Sequence, residues 1–71
     1  MKRYLVILEK TETGFSAYSP DVPGCIATGP TRELVESEMR SAIRFHLESL
    51  RRDGEPVPEP TTDATYLDVA V

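Results

Sequence analysis

Residues 29–54, GPTRELVESEMRSAIRFHLESLRRDG, contain the clearest structural signal in this chain. Gly29-Pro30 ends an extended segment, and Thr31 is a favourable N-cap for a helix. The residues that follow form one largely apolar arc at helical spacing: Val35, Met39, Ala42, Ile43, His46, Leu47 and Leu50. Gly54 stands where a helix commonly places its C′ glycine. The segment therefore predicts one helix, from about Arg32 to Asp53, with a single buried face.

Three short strands are predicted before this helix: Arg3–Lys10, Phe15–Ser19 and Cys25–Thr28. The first connection ends at Gly14, which could take a positive φ, and the second is a Pro/Gly-rich turn. This spacing indicates an antiparallel three-stranded meander. Because Arg3–Lys10 is apolar on both faces, we expect it to be covered on both sides and central in its sheet.

The residues after the helix predict a return to the sheet. Residues 54–60, GEPVPEP, favour an extended, polyproline-like path. Tyr66–Val71 then alternates, with Leu67, Val69 and Val71 on one face, and predicts a fourth strand. The order βββαβ is α+β, with one helix on one face of the sheet.

One helix cannot cover both faces of a four-stranded sheet. We therefore expect Tyr4, Leu5 or their neighbours to be exposed or covered by another subunit. The prediction is a homodimer or a larger even oligomer. Its interface would be the edge strand near Thr28 or the uncovered sheet face.

Length and composition exclude several classes of protein. Seventy-one residues predict a single domain, residues 1–71, and no apolar run exceeds the five residues Tyr4–Leu8, which is too short to span a bilayer. We see no signal peptide, and the single Cys25 cannot form an internal disulfide, so a cytoplasmic protein is expected. The chain lacks Asn and Gln and has six prolines, which is typical of thermophiles but equally of a GC-rich genome.

The charge distribution favours a protein partner over nucleic acid. The formal net charge is −4, and residues 53–71 carry five acidic side chains and no basic one. Attraction to phosphate is therefore weak, whereas a basic protein would be attracted.

No catalytic or metal-binding set is apparent. His46 could act as a base or a ligand, but it lies within the apolar arc and has no partner motif, so a packed histidine is favoured. Cys25 could be a nucleophile, although nothing in its spacing supports this. One His and one Cys cannot form a zinc site, and the acidic residues show no calcium-loop pattern. We predict no cofactor, no metal and no enzyme activity.

The stretch Pro20–Cys25 is the candidate binding element. Asp21 can bond its own backbone, Pro23 restricts φ and Gly24 permits a positive φ, so the loop is either a rigid inter-strand turn or a stiff surface shaped for a partner. Phe45 lies about 100° from the centre of the apolar arc and either packs under the proline segment or anchors an interface. Asp21, Pro23, Gly24 and Phe45 are the predicted partner-binding residues.

Several of these segments together resemble the N-terminal domain of HicB antitoxins. They are Tyr4-x-Val6-x-x-Glu9, residues 14–25 (GFSAYSPDVPGC), Ala27-Thr28-Gly29 with Thr31 opening the helix, His46-Leu47-Glu48, and residues 54–60. The resemblance covers essentially the whole chain. It implies a partial, degenerate ribonuclease-H-like fold. Nuclease activity is not expected, because Leu5, Val6 and Ile7 are apolar where an active site would need a metal-binding carboxylate.

The resemblance also implies a partner. HicB-like proteins silence HicA-like toxins, small basic proteins that cleave messenger RNA with a histidine, and the implied mechanism is steric cover of the toxin. Family antitoxins usually continue into a C-terminal DNA-binding domain, whereas this chain stops at Val71, so we expect no direct nucleic-acid binding by this domain. Two alternatives stay open: an orphan oligomeric or small-ligand-binding domain that has lost its toxin, and an enzyme using Cys25, His46 or surface carboxylates.

Overall fold

The regular secondary structure of the protein consists of three strands and one helix. The structure is a computed structural model that describes every residue from Met1 to Val71. In chain order its elements are β1 (Ile7–Lys10), β2 (Phe15–Tyr18), β3 (Ile26–Gly29) and α1 (Arg32–Arg52). The sheet is an antiparallel meander in the order β1-β2-β3. The predicted α+β class, meander and single long helix are confirmed.

The strand register separates a covered face of the sheet from an open one. Ile7 pairs with Tyr18 and Tyr18 with Ile26, so these three side chains share one face. Leu8, Ala17 and Ala27 form the next row and point to the other face, where α1 packs over β2 and β3. The buried core lies between this face and the helix: Ala17, Val22, Cys25, Val35, Met39 and Ile43.

Both helix ends follow the predicted caps. The Thr31 hydroxyl accepts a hydrogen bond from the Leu34 N–H at 3.2 Å, which satisfies one of the free donors of the first turn. The helix ends at Arg52, one residue before the predicted end, with Asp53 as C-cap. Gly54 follows with φ +72°, a conformation that glycine adopts without steric cost. The helix lacks the continuous apolar length that crossing a bilayer would require.

Gly14 is required for a reason other than the predicted one. Its φ is not positive; the glycines with positive φ are Gly24 and Gly54. Instead, a Cβ at Gly14 would overlap the carbonyl oxygen of Gly29 and lie 2.7 Å from Cα of Pro30. The β1–β2 turn therefore needs glycine because β3 passes directly against it.

Two strand predictions are wrong in this structure. β1 begins at Ile7 rather than Arg3, and it lies at an edge of the sheet, paired only with β2. Tyr66–Val71 forms no strand and is exposed throughout. The edge position of β1 and the missing fourth strand are linked. β1 could be central only if Tyr66–Val71 paired with its outer side, and in this structure these residues do not pair with it.

Candidate partner-binding surface

The loop between β2 and β3 is a rigid turn that is held by buried residues and backbone hydrogen bonds. Val22 is completely buried, and its N–H donates to the Ser19 carbonyl at 3.2 Å while its carbonyl accepts from the Cys25 N–H at 3.3 Å. The buried Ser19 hydroxyl donates to the Leu5 carbonyl at 2.8 Å. Gly24 has φ +91°, as expected for this turn. Pro23 and Gly24 are thereby presented to solvent on a fixed backbone.

Asp21 does not point freely into solvent, because its carboxylate holds a distant part of the chain. It accepts hydrogen bonds from the backbone N–H groups of Thr61 and Thr62 at 3.0 and 2.8 Å. It also accepts from their hydroxyls, at 3.3 and 2.7 Å respectively. These bonds, the Thr62 hydroxyl foremost, lower the pKa of Asp21 from its ordinary value. We call this four-bond contact the Asp21 clamp.

The proline-rich segment is attached beside the clamp. The Lys2 ammonium contacts both carboxylate oxygens of Glu59 at 2.8 Å, and the Tyr4 hydroxyl donates to the Pro58 carbonyl at 2.6 Å. Residues 3–6 and 60–63 line an open groove of about 410 Å³ between the two segments. The path from residue 58 to residue 62 is therefore held against the N-terminal end of the sheet.

Phe45 lies on the solvent side of α1 and does not pack under the proline segment. Its exposed fraction is 69%, and Leu34, which is 52% exposed, lies eleven residues earlier, about three helical turns away on the same face. The β2–β3 loop contacts α1 near Phe45, since the Cys25 thiol donates to the carbonyl of Ala42 at 3.7 Å. Phe45 is thus one turn from the point where the loop meets the helix.

The open face of the sheet carries a row of apolar side chains. Ile26 is 72% exposed and Tyr18 is 44% exposed, whereas Ile7 beside them is half-buried. The uncovered face predicted from the single helix is present. Its most exposed members are Tyr18 and Ile26, while Tyr4 packs against the core and is half-buried.

The two residues considered for chemistry are not brought together into a reactive group. Cys25 is buried and bonded to a backbone carbonyl, and burial raises the pKa of its thiol, which disfavours the reactive thiolate. His46 is half-buried in the helix face that turns to the sheet. The structure holds no group of three or more His, Cys, Asp or Glu side chains that could bind a metal ion.

Residues 4–69 match a protein family described as the HicB-like antitoxin of bacterial toxin–antitoxin systems. The chain belongs to the HicB-like antitoxin family. The family match includes the exposed C-terminal residues up to Val69, so these are part of the family's domain. Membership places the chain in a family that is described as antitoxins of bacterial toxin–antitoxin systems.

Similar proteins come from distant organisms. This HicB-like chain is 33% identical over 64 residues to an uncharacterized 14.9 kDa protein of Haemophilus phage HP1, a match that covers 90% of this chain and 48% of that protein. It is 32% identical over 62 residues to the UPF0150 protein Ta0767 of Thermoplasma acidophilum, covering 86% and 90% of the two chains. It is 37% identical over 57 residues to the UPF0150 protein ssr1765 of Synechocystis, covering 79% and 72%. The HicB-like chain thus spans about half the length of the phage relative.

A chain in a solved toxin–antitoxin complex has a similar fold. A chain of a HicA3 and HicB3 toxin–antitoxin complex superimposes on this HicB-like protein with a TM-score of 0.68 at 35% identity. The match covers 84% of this chain and 70% of the other.

Thr61, Thr62, Lys2 and Glu59 complete the surface, and sequence reasoning did not identify any of them. The two threonines lie 40 and 41 residues from Asp21, so no local spacing indicated the contact. The only signal was that two hydroxyl-bearing residues follow the last proline of an extended segment.

Proposed function

We propose that this chain is the antitoxin of a toxin–antitoxin pair and neutralises a small basic HicA-like toxin by covering its RNA-binding surface. The observation that carries the proposal is the 35% identity, over 84% of the chain, to a chain of a HicA3–HicB3 complex. We expect the pair to act in the cytoplasm, where messenger RNA is available for cleavage. We also propose that the three strands and the helix are a reduced ribonuclease-H-like fold that acts by binding and not by catalysis.

The charge of the surface supports a basic partner. The acidic side chains of residues 53–71 are exposed, and only Glu59 among them is paired with a basic group. Because residues 53–71 contain no basic residue, this segment carries a net negative charge even with Glu59 paired to Lys2. Such a surface attracts a basic toxin. The attraction raises the association rate more than it raises the equilibrium affinity.

The rigid loop and Phe45 are the proposed contact residues. Pro23 and Gly24 are presented on a backbone held by Val22, so little ordering is needed on binding. Phe45 is a large exposed aromatic side chain one turn from the loop, a residue type enriched at interface centres. Asp21 contributes indirectly, because its carboxylate is engaged in holding Thr61 and Thr62.

The test is a titration of the purified protein into the basic product of its neighbouring gene, followed by an RNA-cleavage assay. We expect stoichiometric binding with loss of cleavage. Phe45→Ala should weaken binding at least tenfold, the range of a central aromatic anchor, while Leu34→Ala on the same helix face serves as the matched control. Equal effects of the two substitutions would contradict the assignment of Phe45, and absence of binding would contradict the function itself.

The second candidate is an oligomeric interaction domain without a toxin. The exposed row formed by Tyr18 and Ile26 on the open sheet face favours it, because apolar side chains clustered on one face commonly mark an interface. A stable homo-oligomer that binds no neighbouring gene product would support this candidate over the first.

A further inference from the structure

The C-terminal segment, defined here as residues 64–71, carries a strand pattern that the monomer leaves unused. All its residues are exposed; Tyr66 and Val71 are fully accessible, and Leu67 and Val69 are 78% and 72% exposed. Its hydrogen bonds are local, from the Ala64 N–H to Asp63 and from the Thr65 hydroxyl to the Tyr66 carbonyl. Four large apolar side chains within six residues are not normally left in water by a stable monomer.

The outer edge of β1 lacks the same kind of partner. β1 pairs with β2 on one side only, so half of the backbone N–H and C=O groups of Ile7–Lys10 face no strand. On the helix side, Val6 and Leu8 remain half-buried because α1 packs chiefly over β2 and β3. The sheet is therefore open at this edge both for hydrogen bonds and for apolar cover.

The residues that precede the C-terminal segment are attached beside residues 2–6, which lead into β1. The Lys2–Glu59 ion pair and the Tyr4–Pro58 hydrogen bond hold residues 58 and 59 beside the N-terminal residues. The Asp21 clamp then holds residues 61 and 62 at the β2–β3 loop. Beyond Asp63 every residue is exposed, and the molecule measures 49 Å in its longest dimension against 27 and 19 Å in the others.

We propose that the C-terminal segment of one copy pairs with the free edge of β1 in a second copy, and that reciprocal exchange closes a homodimer. Each chain carries both the unpaired C-terminal segment and the unpaired edge of β1, so a two-fold arrangement satisfies both at once without leaving a free end. Strand addition supplies main-chain hydrogen bonds to an exposed edge. Leu67, Val69 and Val71 would turn toward Val6 and Leu8 of the partner copy, and Asp68 would stay on the open face.

The decisive experiment uses the full chain without any toxin, so its outcome is independent of the proposed antitoxin function. Light scattering at micromolar concentration measures the mass, and nuclear Overhauser contacts are recorded in an equimolar mixture of isotope-labelled and unlabelled protein. We expect a dimer, with contacts between Tyr66–Val71 of one copy and Ile7–Lys10 of the other. A monomer, or a dimer whose contacts run instead through Tyr18 and Ile26, overturns the proposal.

Two matched variants test which face of the segment is buried. Leu67→Asp combined with Val69→Asp places two charges on the face expected to be covered, and should weaken the dimer at least tenfold. Tyr66→Asp combined with Ala70→Asp places two charges on the opposite face, and should leave most of the dimer intact. Since all four positions are exposed in the monomer, neither variant should unfold it. Equal dissociation constants for the two variants would overturn the proposed pairing.

Discussion

The carboxylate of Asp21 binds Thr62 twice, accepting from its hydroxyl at 2.7 Å and from its backbone N–H at 2.8 Å. Together with the two bonds from Thr61, this contact joins the β2–β3 loop to a segment 40 residues later in the chain. It links the two surfaces proposed above, since the loop presents Pro23 and Gly24 while the attached segment leads to the C-terminal segment, residues 64–71.

Replacing Asp21 by Asn should release the segment that follows the prolines. An amide oxygen still accepts, but it carries no charge and leaves only one oxygen for four donors. We expect the amide protons of Thr61 and Thr62 to exchange faster with solvent, as measured by hydrogen exchange. Asp68→Asn, which removes a charge from an exposed residue without these bonds, is the control. Unchanged exchange at Thr61 and Thr62 in Asp21→Asn would refute the clamp.

The same contact should make stability fall in acid. Hydrogen bonds from Thr62 and Thr61 lower the pKa of Asp21 in the folded protein below its unfolded value. The stabilisation is therefore present above the unfolded-state pKa and is lost as the pH falls through the folded-state pKa. The measurement follows the amide chemical shifts of Thr61 and Thr62 from neutral to strongly acidic pH. A midpoint above the ordinary range for aspartate would contradict the assignment.

Gly14→Ala should destabilise the sheet more than Gly24→Ala, although only Gly24 has a positive φ. The new methyl group at residue 14 would overlap backbone atoms of Gly29 and Pro30, which cannot rotate away. Overpacking of this kind costs about 2–3 kcal/mol. At residue 24 there is space for a Cβ, so the cost is the left-handed backbone alone, about 1 kcal/mol. Urea unfolding measures both, and the reverse order would show that the close approach is relieved elsewhere.

Val22→Ala should destabilise the protein by removing buried contacts that hold the candidate binding loop. Val22 is completely buried, and removing two methyl-sized groups from a packed site costs about 2 kcal/mol in the free energy of unfolding. The exposed Ile26→Val, which also shortens a branched side chain, should change stability by less than about 0.5 kcal/mol. Similar losses in both variants would mean that the loop is not held by Val22.

Cys25 should react slowly with a thiol reagent in the native protein. Its side chain is buried, it donates to the Ala42 carbonyl, and burial raises the pKa of the thiol, so little thiolate is present at neutral pH. The rate of colour release from an aromatic disulfide reagent, with and without urea, checks this. Rapid reaction of the native protein would revive the cysteine-enzyme alternative.

The order of the three strands and the helix could be predicted because it depends on local chemistry. The apolar arc with Val35, Met39 and Ile43 predicted the helix, and Thr31 and Gly54 predicted its ends to within one residue. The three strands of the meander were predicted from the turn residues between them, although β1 begins four residues later than expected. The family was recognisable from the same segments, because its motif lies in contiguous stretches of the chain.

The candidate surface could be predicted only in part. Pro23 and Gly24 are exposed in the predicted turn, and Gly24 has the positive φ that glycine permits. Asp21 was singled out for its loop position, yet its partners lie 40 residues away, and no spacing rule connects them. For Phe45 the sequence left two environments open, and the choice depended on where the proline segment runs.

The helix, its caps and the meander depend on residues close together in the chain, and the family on contiguous motifs, so all of these could be predicted from the sequence. That β1 is an edge strand, that Gly14 is required by the approach of Gly29, and that Asp21 holds Thr61 and Thr62 became evident only in three dimensions. Strand pairing and side-chain contacts of this kind join distant residues. Their formation depends on the whole path of the chain, and for Tyr66–Val71 we propose that it depends on a second copy.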